Sequence, residues 1–476
     1  MKAGNPGGNL EAGFTWAGLA GWFLMFAGIP LGNVVPGLVF LLVDGVIRAF
    51  KARGHAREDR RHAGEKRTAG TGTRAGTRDC ARMLATAIWA FGGLGLVSVL
   101  WSLNKAGTAG YSVTLFLVIL LSCFGARRLI QNERLLLGFF FPVLVAGTFV
   151  TSIYALVDYF MKGGGRADTL GTQCNGLGTV LILSVALSLG YIDRVRGRWL
   201  LARVPLVAVS VAALLASMSR GAWVGFTVMG FIYATRTRRA LAWVLVIAFL
   251  TVAVIYATPP LKARFLTIWD MSFNGANHDR LELWTVTLKM IERHPLLGVG
   301  VGAYRGVYPA FKGLVGGQED LASAHNIFLQ VLAESGILGL ILFIYVLYLL
   351  GRAGVALLRT GDLLFRGLFA ALAGTLVHQL VDTTVYWADI GGGFWLVVGL
   401  ILSYYESSCR GMPQKEGTGL QPPAPTPGRK REKGLYRGEV YQDHRGQVYG
   451  RDKGRGQSQG ETGAEARVSL SVVITT

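Results

Sequence analysis

The chain has 476 residues, of which 51% are hydrophobic and only 16% are charged. Soluble domains average about 25% charged residues, and each transmembrane helix needs about 20 mostly apolar residues. Together with the long stretches that contain no charge, these values exclude a soluble enzyme, a disordered chain and a disulfide-stapled secreted module. A large helical membrane protein remains, and the net charge of +20 is attributed to basic loops that set orientation and contact anionic lipid.

The apolar segments predict an all-α, polytopic transmembrane helix bundle of about twelve spans within residues 1–405. In chain order they lie at 14–29, 31–47, 83–103, 111–126, 135–158, 175–192, 200–218, 221–235, 241–257, 325–350, 367–387 and 391–405. The first two are separated only by a break near Pro30 and Pro36, and they are also compatible with a single hairpin.

The distribution of positive charge predicts that both termini lie inside the cell. With the N-terminus inside, the inner loops carry 24 Lys and Arg residues, whereas the short outer segments carry only Lys105, Lys162, Arg166 and Arg220. Because cytoplasmic loops are enriched in Lys and Arg, this difference favours the N-in orientation, and an even number of spans places the C-terminus inside as well. We therefore expect a multi-pass protein of the cell (inner) membrane whose active site faces outside.

Three polar segments are predicted to lie outside the bilayer. Residues 48–82 are basic and rich in Gly, Arg and Thr, which indicates a flexible inner loop. Residues 406–476 contain a Pro-rich run and scattered charge, which indicates a disordered inner tail. Residues 258–324 form a large outer loop between spans nine and ten.

The outer loop contains one predicted helix. Asp279 and Glu282 have the spacing of a capping box, and Pro295 ends the helix. Apolar residues then recur every three or four positions, at Leu281, Trp284, Leu288 and Ile291. We expect a helix with one apolar face that lies on the outer membrane surface or packs against the bundle.

Ionisable and amide side chains gather at the outer ends of the spans and, for Arg166 and Arg280, in the outer loops. They are Asp158, Arg166, Asn175, Arg220, Arg280, His325, His378 and Asp382. Ionisable groups are costly near hydrocarbon, and a single polar pocket that faces outward would collect them all. No residue cluster has the spacing of metal ligands, and no Ser-His-Asp or Cys-His pattern is present.

Each of these candidates has a structural interpretation beside the functional one. Arg220 fits a snorkelling interfacial residue, but the span after it has only about 15 residues, so a helix of normal length draws Arg220 toward the hydrocarbon and favours function. Arg280 fits a solvated helix face, but it precedes Trp284 by one turn and so shares the apolar side, which favours function. His378 and Asp382 lie four apart on one face of span eleven, where a structural polar pair is favoured.

Two further features of this region have structural interpretations. Glu334 lies about 13 Å below His325 at 1.5 Å per residue, so we expect it to form a hydrogen bond inside the bundle. The glycine run at 298–302 would allow backbone N–H groups to approach an anion, but a simple glycine turn is favoured.

Two sequence elements resemble the O-antigen ligase and polymerase superfamily. The sequence Ser-Arg-Gly-Ala-Trp at 219–223 resembles an element of that superfamily. His325 and Asn326 are followed after nine residues by Gly336 and, three positions later, by Gly339, as in the ligase pattern.

Two more elements complete the resemblance. The stretches at 279–284 and 294–304 resemble the loop element upstream of the ligase His, and the segment from Arg166 to Asn175 resembles a fourth element. The four elements lie in the order of the family and cover residues 166–345.

The resemblance implies a metal-independent, inverting glycosyl transfer outside the membrane, without a cofactor. The donor would be a glycan on polyprenyl pyrophosphate, and the acceptor would be a hydroxyl on a lipid, a protein or another glycan, as in lipopolysaccharide or cell-wall polysaccharide synthesis. Membrane lipids are the other expected partners, and nothing indicates nucleic acid. The implied residues are His325 as general base, Arg220, Arg280 and Arg166 for the pyrophosphate, and Asn326, Asn175, Asp382 and His378 in support.

Elementary chemistry agrees with these roles. A pyrophosphate leaving group needs fixed positive charge, and the planar guanidinium donates to phosphate bidentately. The acceptor hydroxyl needs a base, for which His is suited. The competing groups of the outer loop, Glu282, Glu292, Glu319, Asp320 and His294, are interpreted as solvated charges and a helix-end histidine.

Two alternatives remain. A secondary transporter fits twelve spans with both termini inside, although the chain has no repeated halves and no long central inner loop. A polymerase that extends the glycan shares the arginines, whereas the pattern from His325 favours a ligase.

Overall fold

The computed structural model describes residues 73–169, 172–195, 197–268, 276–313, 323–410, 440–442 and 448–450. The principal helices in this part of the chain are α1 (Thr73–Val97), α2 (Lys105–Gln131), α3 (Glu133–Met161), α4 (Cys174–Val195), α5 (Leu200–Ala216), α6 (Arg220–Ala234), α7 (Arg238–Ala257), α8 (Pro259–Leu266), α9 (Ala276–Arg293), α10 (Tyr304–Lys312), α11 (Ile327–Leu358), α12 (Leu363–His378) and α13 (Ala388–Arg410). Short 3₁₀ turns occur at Ser98–Leu100, Gly197–Trp199 and Thr384–Tyr386. The two predicted spans before residue 48 lie outside the described residues.

The described helices confirm a helical membrane protein. Six of them, α1, α2, α3, α4, α7 and α11, contain segments that are long and apolar enough to cross a membrane, and α5 and α12 are shorter apolar helices. Each predicted apolar segment from residue 83 onward corresponds to a helix. The total of twelve spans and the orientation stay predictions.

Three predicted boundaries are wrong. Helix α1 already begins at Thr73, inside the predicted loop 48–82. Helix α13 continues to Arg410, beyond the predicted end of the last span at residue 405. Most of the predicted tail lies outside the described residues, and within it β1 (Val440–Gln442) pairs antiparallel with β2 (Val448–Gly450).

The third error concerns span eleven. Helix α12 ends at His378, and Asp382 lies in the turn that follows, so the two residues do not share a helix face. The Gln379 side chain binds the turn instead, because its Oε1 accepts from the Val385 N–H at 3.1 Å and its Nε2 donates to Thr384 Oγ1 at 2.9 Å. Polar side chains that bond the local backbone in this way compete with a continuing helix.

Helix α4 is the central helix of the described bundle. It is buried along nearly its whole length and packs against α3, α5, α6 and α12. Glycines permit the closest contact with α12, since a Cβ at Gly367 would lie 2.6 Å from the Ala186 carbonyl oxygen. Helix α7 is hardly buried, and this apolar surface is suited to lipid.

Charged residues join the ends of four helices at the predicted inner side. Asp193 of α4 is 4% exposed, pairs with Arg203 at 3.2 Å and with Arg236, and accepts a hydrogen bond from Tyr233 at 2.8 Å. Arg194 pairs with the Asp362 carboxylate at the start of α12. Loops that the charge distribution assigns to one side therefore do meet at one end of the bundle.

The outer loop is attached to a break in α11. Gly336 has a φ of 64°, and a Cβ there would lie 2.2 Å from the Leu296 carbonyl carbon, so only glycine fits. The glycine run bonds to the same region, with Gly300 N donating to the Glu334 carbonyl at 2.9 Å. The Glu334 carboxylate is buried and accepts from Tyr304 N at 3.1 Å, which confirms the interior hydrogen bond and the glycine turn.

Helix α9 differs from its sequence prediction in two respects. It begins at Ala276, so Asp279 lies in the first turn and does not cap the helix. The predicted apolar stripe is only half right, because Trp284 and Ile291 pack against the protein whereas Leu281 and Leu288 are exposed. The fully buried apolar positions are Leu283, Val286 and Met290, which form one cluster with α10 and part of α11. Thr287 is buried beside them and shares a hydrogen bond of 2.7 Å with the Tyr304 hydroxyl. The helix therefore packs on the protein through a face offset from the predicted one.

Candidate active site

A polar cavity of about 280 Å³ lies at the end of the bundle opposite the Asp193 cluster. The lining residues predicted from the sequence are Arg166, Asn175, Arg220, Arg280, His325 and His378, and those not predicted are Ser219, Gly221, Arg264, Asp279, Glu282, Leu283, Tyr308 and Val381. They come from α4, α6, α8, α9, α10 and α12, from the segments before α4, α6 and α11, and from the turn after α12. Six of the eight predicted site residues thus share one cavity.

His325 is held in an unusual backbone conformation at the cavity wall. Its φ of 46° lies in the left-handed region that non-glycine residues seldom adopt. Asn326 caps α11, because its Oδ1 accepts from the N–H groups of Phe328 and Leu329, and its Nδ2 donates to the Leu380 carbonyl at 2.9 Å. Asn326 therefore fixes His325 against the turn after α12. Strain that is maintained by surrounding bonds is typical of functional positions.

Asp382 is the acidic partner of His325. Its Oδ1 lies 3.7 Å from His325 Nδ1, and the carboxylate is 1% exposed. Burial alone opposes ionisation of Asp382, but the polar contact with His325 and the proximity of His378 hold its pKa below the ordinary value of 3.8. The resulting buried carboxylate can stabilise a positive charge that develops on His325.

Arg220 is oriented by Thr267, which follows α8, and by Asn277 in the first turn of α9. Its guanidinium donates to the Thr267 carbonyl, to Thr267 Oγ1 at 3.1 Å and to Asn277 Oδ1 at 3.0 Å. Helix α6 begins at Arg220 itself and has 15 residues, so the expected longer helix that would draw Arg220 toward hydrocarbon is not formed. The guanidinium is instead fixed beside the cavity by polar contacts.

Arg166 and Asn175 are held together by a hydrogen bond at the cavity wall. Arg166 Nη2 donates to Asn175 Oδ1 at 2.9 Å, and its Nε donates to the Ser217 carbonyl at 3.4 Å. The next residue, Met218, also has a positive φ, of 52°. The segment from Arg166 to Asn175 is therefore bound to the turn that precedes Arg220, which explains why these two motifs reach the same cavity.

Arg264 of α8 is a cavity residue that the sequence analysis missed. Its Nε donates to the Met218 carbonyl at 3.1 Å. Burial, and then the charges of Arg166, Arg220 and Arg280, lower its pKa from 12.5 to about 10, so the guanidinium remains charged at neutral pH. No motif signals this residue, since α8 is short and follows directly on an apolar helix.

Arg280 completes the positive side of the cavity. No other described residue accepts a hydrogen bond from its guanidinium. Burial lowers the pKa of Arg280, the Asp382 carboxylate opposes that shift, and the Arg166 charge adds to it. Four like charges around one cavity are a favourable environment for an anion, because a bound anion relieves their mutual repulsion.

Two carboxylates lie among the cavity residues. Asp279 and Glu282 both come from the first turns of α9, and Glu282 contacts His278 at 3.5 Å. The interpretation of Glu282 as a solvated loop charge is therefore incomplete, since its side chain is half-buried at the cavity. Among the residues that the structure describes, no group of three His, Cys, Asp or Glu side chains could hold a metal ion.

An apolar helical bundle with an arginine-lined cavity defines a polytopic membrane protein with a site suited to an anion. Residues 205–344 match the family model described as O-antigen ligase. This span contains Arg220, Arg264, Arg280 and His325, and the match confirms the resemblance to the O-antigen ligase superfamily. It supports a glycosyltransferase-like enzyme with a membrane glycan-transfer or polymerase-like role.

Further comparisons add little to this assignment. No curated protein matches the chain. A solved structure described as "Structural coordination of polymerization and crosslinking by a peptidoglycan synthase complex" is similar at 17% sequence identity and a TM-score of 0.40, over 68% of this chain and 97% of that chain.

Proposed function

We propose that this protein transfers a glycan from polyprenyl pyrophosphate to an acceptor hydroxyl on the outer face of the cell membrane, as an O-antigen ligase-like enzyme. One observation carries the proposal: His325 and four arginines from separate elements line the same cavity. A base beside concentrated positive charge is the arrangement that transfer from a pyrophosphate leaving group needs.

The proposed reaction is a single displacement. His325 Nε2 accepts the proton of the acceptor hydroxyl, because Nδ1 lies toward Asp382. The acceptor oxygen attacks the anomeric carbon, the bond between that carbon and the phosphate oxygen breaks, and the electron pair leaves with the pyrophosphate. Attack opposite the leaving group inverts the anomeric configuration. Asp382 stabilises the imidazolium, as the carboxylate of a catalytic triad does.

The leaving group is assigned to Arg166, Arg220, Arg264 and Arg280. Their guanidinium groups supply the positive charge that compensates the departing pyrophosphate, so the proposed step requires no metal ion. Asn175 holds Arg166 in place. The membrane anchor of the donor has a route beside α7, where Phe249 and Tyr256 are exposed shortly before α8 brings Arg264 to the cavity.

Glycan extension of the polymerase type is the second candidate. It uses the same base and the same arginines, but its acceptor is the sugar end of another lipid-linked chain. Asp279 and Glu282 support this candidate, since carboxylates in a cavity accept hydrogen bonds from several sugar hydroxyls.

Transfer by the purified protein in proteoliposomes tests the proposal. With a defined polyprenyl pyrophosphate glycan and a lipid acceptor, we expect an inverted glycosidic bond on the acceptor and release of polyprenyl pyrophosphate. Products that lengthen on the polyprenyl carrier would favour the polymerase. Passage of the glycan into the lumen without any new glycosidic bond would contradict both the ligase-like and the polymerase-like function. That result would favour a secondary transporter.

The proposed orientation is tested by cysteine labelling in a background without native cysteines. Lys105 at the start of α2 and Arg239 near the start of α7 are both exposed. The charge distribution assigns Lys105 to the outer side of the membrane and Arg239 to the inner side. We expect an impermeant thiol reagent to label Lys105→Cys on intact cells and to label Arg239→Cys only after permeabilisation. The reverse pattern would place the cavity inside the cell and contradict a periplasmic or extracellular reaction.

A further inference from the structure

His378 is a buried cavity residue to which the reaction above gives no role. It is 1% exposed and ends α12. Its ring lies between two glycines, since a Cβ at Gly178 would be 3.7 Å from Cε1 and a Cβ at Gly221 would be 3.0 Å from Cδ2 and 3.6 Å from Nε2. The Nε2 edge of the ring therefore lies beside the N-terminus of α6, next to Arg220.

A chain of hydrogen bonds fixes which ring nitrogen carries the proton. Gln379 Oε1 accepts from Val385 N, so the opposite, amino end of this side chain must be the one that meets Thr384 Oγ1, at 2.9 Å. Thr384 Oγ1 lies 2.6 Å from Thr179 Oγ1, which lies 2.9 Å from His378 Nδ1.

The direction of this chain begins at the amide, which can only donate through its nitrogen, so Thr384 Oγ1 accepts from Gln379. Among the described residues, Thr179 Oγ1 is the one acceptor within reach of the Thr384 hydroxyl hydrogen. Thr384 therefore donates to Thr179, and Thr179 donates its own hydrogen to His378 Nδ1. A nitrogen that accepts a hydrogen bond is unprotonated, so the ring is neutral and its proton resides on Nε2.

Two charged groups, Asp382 and Arg280, act on His378 electrostatically, and neither accepts a hydrogen bond from its Nε2–H group. Asp382 Oδ1 accepts from Thr383 N at 2.7 Å, and Asp382 Oδ2 has no hydrogen-bond partner among the described residues. Arg280 is itself a donor. Within the described part of the chain, the Nε2–H group is therefore left facing the cavity.

We propose that His378 is a substrate-binding hydrogen-bond donor, held neutral by the Gln379–Thr384–Thr179 chain, whose Nε2–H binds a phosphoryl oxygen of the donor beside Arg220. This inference rests on the proposed function. The position beside the first residues of α6 favours an anionic oxygen, because the N-terminus of a helix carries partial positive charge. A neutral donor adds a directed bond without increasing the repulsion among the four arginines.

Nitrogen NMR of the full-length protein with ¹⁵N-labelled histidine tests the protonation state directly, without turnover. Assignment of the His378 signals uses their loss in His378→Gln. At neutral pH we expect Nδ1 to give the signal of an unprotonated nitrogen and Nε2 that of a protonated one, and we expect inorganic pyrophosphate to shift the Nε2 signal. Protonation of Nδ1, or no shift with saturating pyrophosphate, would overturn the proposal even if the protein transfers glycans.

Variants separate hydrogen bonding from packing. His378→Gln can keep an N–H group near the position of Nε2, whereas His378→Asn keeps a polar group only near Nδ1. For a hydrogen bond to a charged group we expect His378→Asn to lower kcat/KM for the donor by about 10- to 100-fold, with His378→Gln recovering most of the loss. Equal activity of wild type and His378→Asn would overturn the proposal.

Thr179→Val tests the hydrogen-bond chain at a residue that does not touch the substrate. The substitution removes the donor to Nδ1, so we expect the NMR signals to show a mixture of protonation states and the donor KM to rise in proportion. If the Nε2–H state persists unchanged in Thr179→Val, the chain does not set it. Failure of the proposed function is distinguishable, because it abolishes transfer in all variants while the NMR results stand.

Discussion

Replacement of His325 by Ala is expected to lower the rate of glycan transfer by about 10²- to 10⁴-fold, the usual contribution of general base catalysis. Affinity for the lipid-linked donor should change little, because the arginines remain in place. The measurement is single-turnover transfer by purified variants in proteoliposomes, with donor binding determined separately. A His325→Ala enzyme that transfers at the wild-type rate would eliminate His325 as the base and leave a purely structural role at the start of α11.

The matched control for this variant is His294→Ala. His294 is also an outer-loop histidine, but it lies at the end of α9, contacts Phe311 and is not among the cavity residues. We expect near-wild-type transfer from His294→Ala.

Asp382→Asn should also lower the rate of glycan transfer, because the imidazolium formed on His325 then lacks its carboxylate.

The pKa of Asp382 sets the pH range in which its carboxylate can stabilise the His325 imidazolium. Since its pKa is held below 3.8 in the folded protein, the carboxylate is ionised throughout the neutral and mildly acidic range. Its stabilising effect is lost only as the pH falls through that lowered pKa. Any decline in activity between neutrality and pH 5 therefore has its origin elsewhere than in Asp382.

The sequence predicts the cavity better than it predicts the helices around it. Arg166, Arg220, Arg280 and His325 are recognisable because an ionisable group beside an apolar segment is costly and therefore conspicuous. Arg166, Arg220 and His325 converge because each lies near the same predicted end of a span, whereas Arg280 reaches the cavity on α9 of the outer loop.

What the sequence does not predict depends on local hydrogen bonds and on packing. The end of α12 at His378 is such a case, because the apolar pattern continues to Tyr386 and only the bonds of Gln379 show that the helix stops. The buried face of α9 is another, since Leu281 and Leu283 have similar hydrophobicity and only the contact with α10 decides which is covered. Arg264 escapes prediction because the short helix α8 carries no motif, and only the fold brings it to the cavity.

Arg220→Ala and Arg280→Ala are each expected to lower kcat/KM for the donor by about 10²- to 10³-fold, the loss typical when one donor to a developing negative charge is removed. Arg→Lys keeps the charge but loses the planar fork, so it should restore activity only in part. Arg264→Gln should lower donor affinity in the same direction, since that guanidinium lines the same cavity.

The comparison with Arg305→Ala makes the arginine prediction specific, because Arg305 lies on α10, is exposed and does not line the cavity. We expect that variant to transfer at the wild-type rate. If Arg220 and Arg280 bind the same pyrophosphate, the double variant should lose less than the product of the two single losses, because groups that act on one charge are coupled. Normal transfer by both single Ala variants, at wild-type expression, would remove the pyrophosphate role from these arginines, and full additivity would assign them to separate parts of the donor.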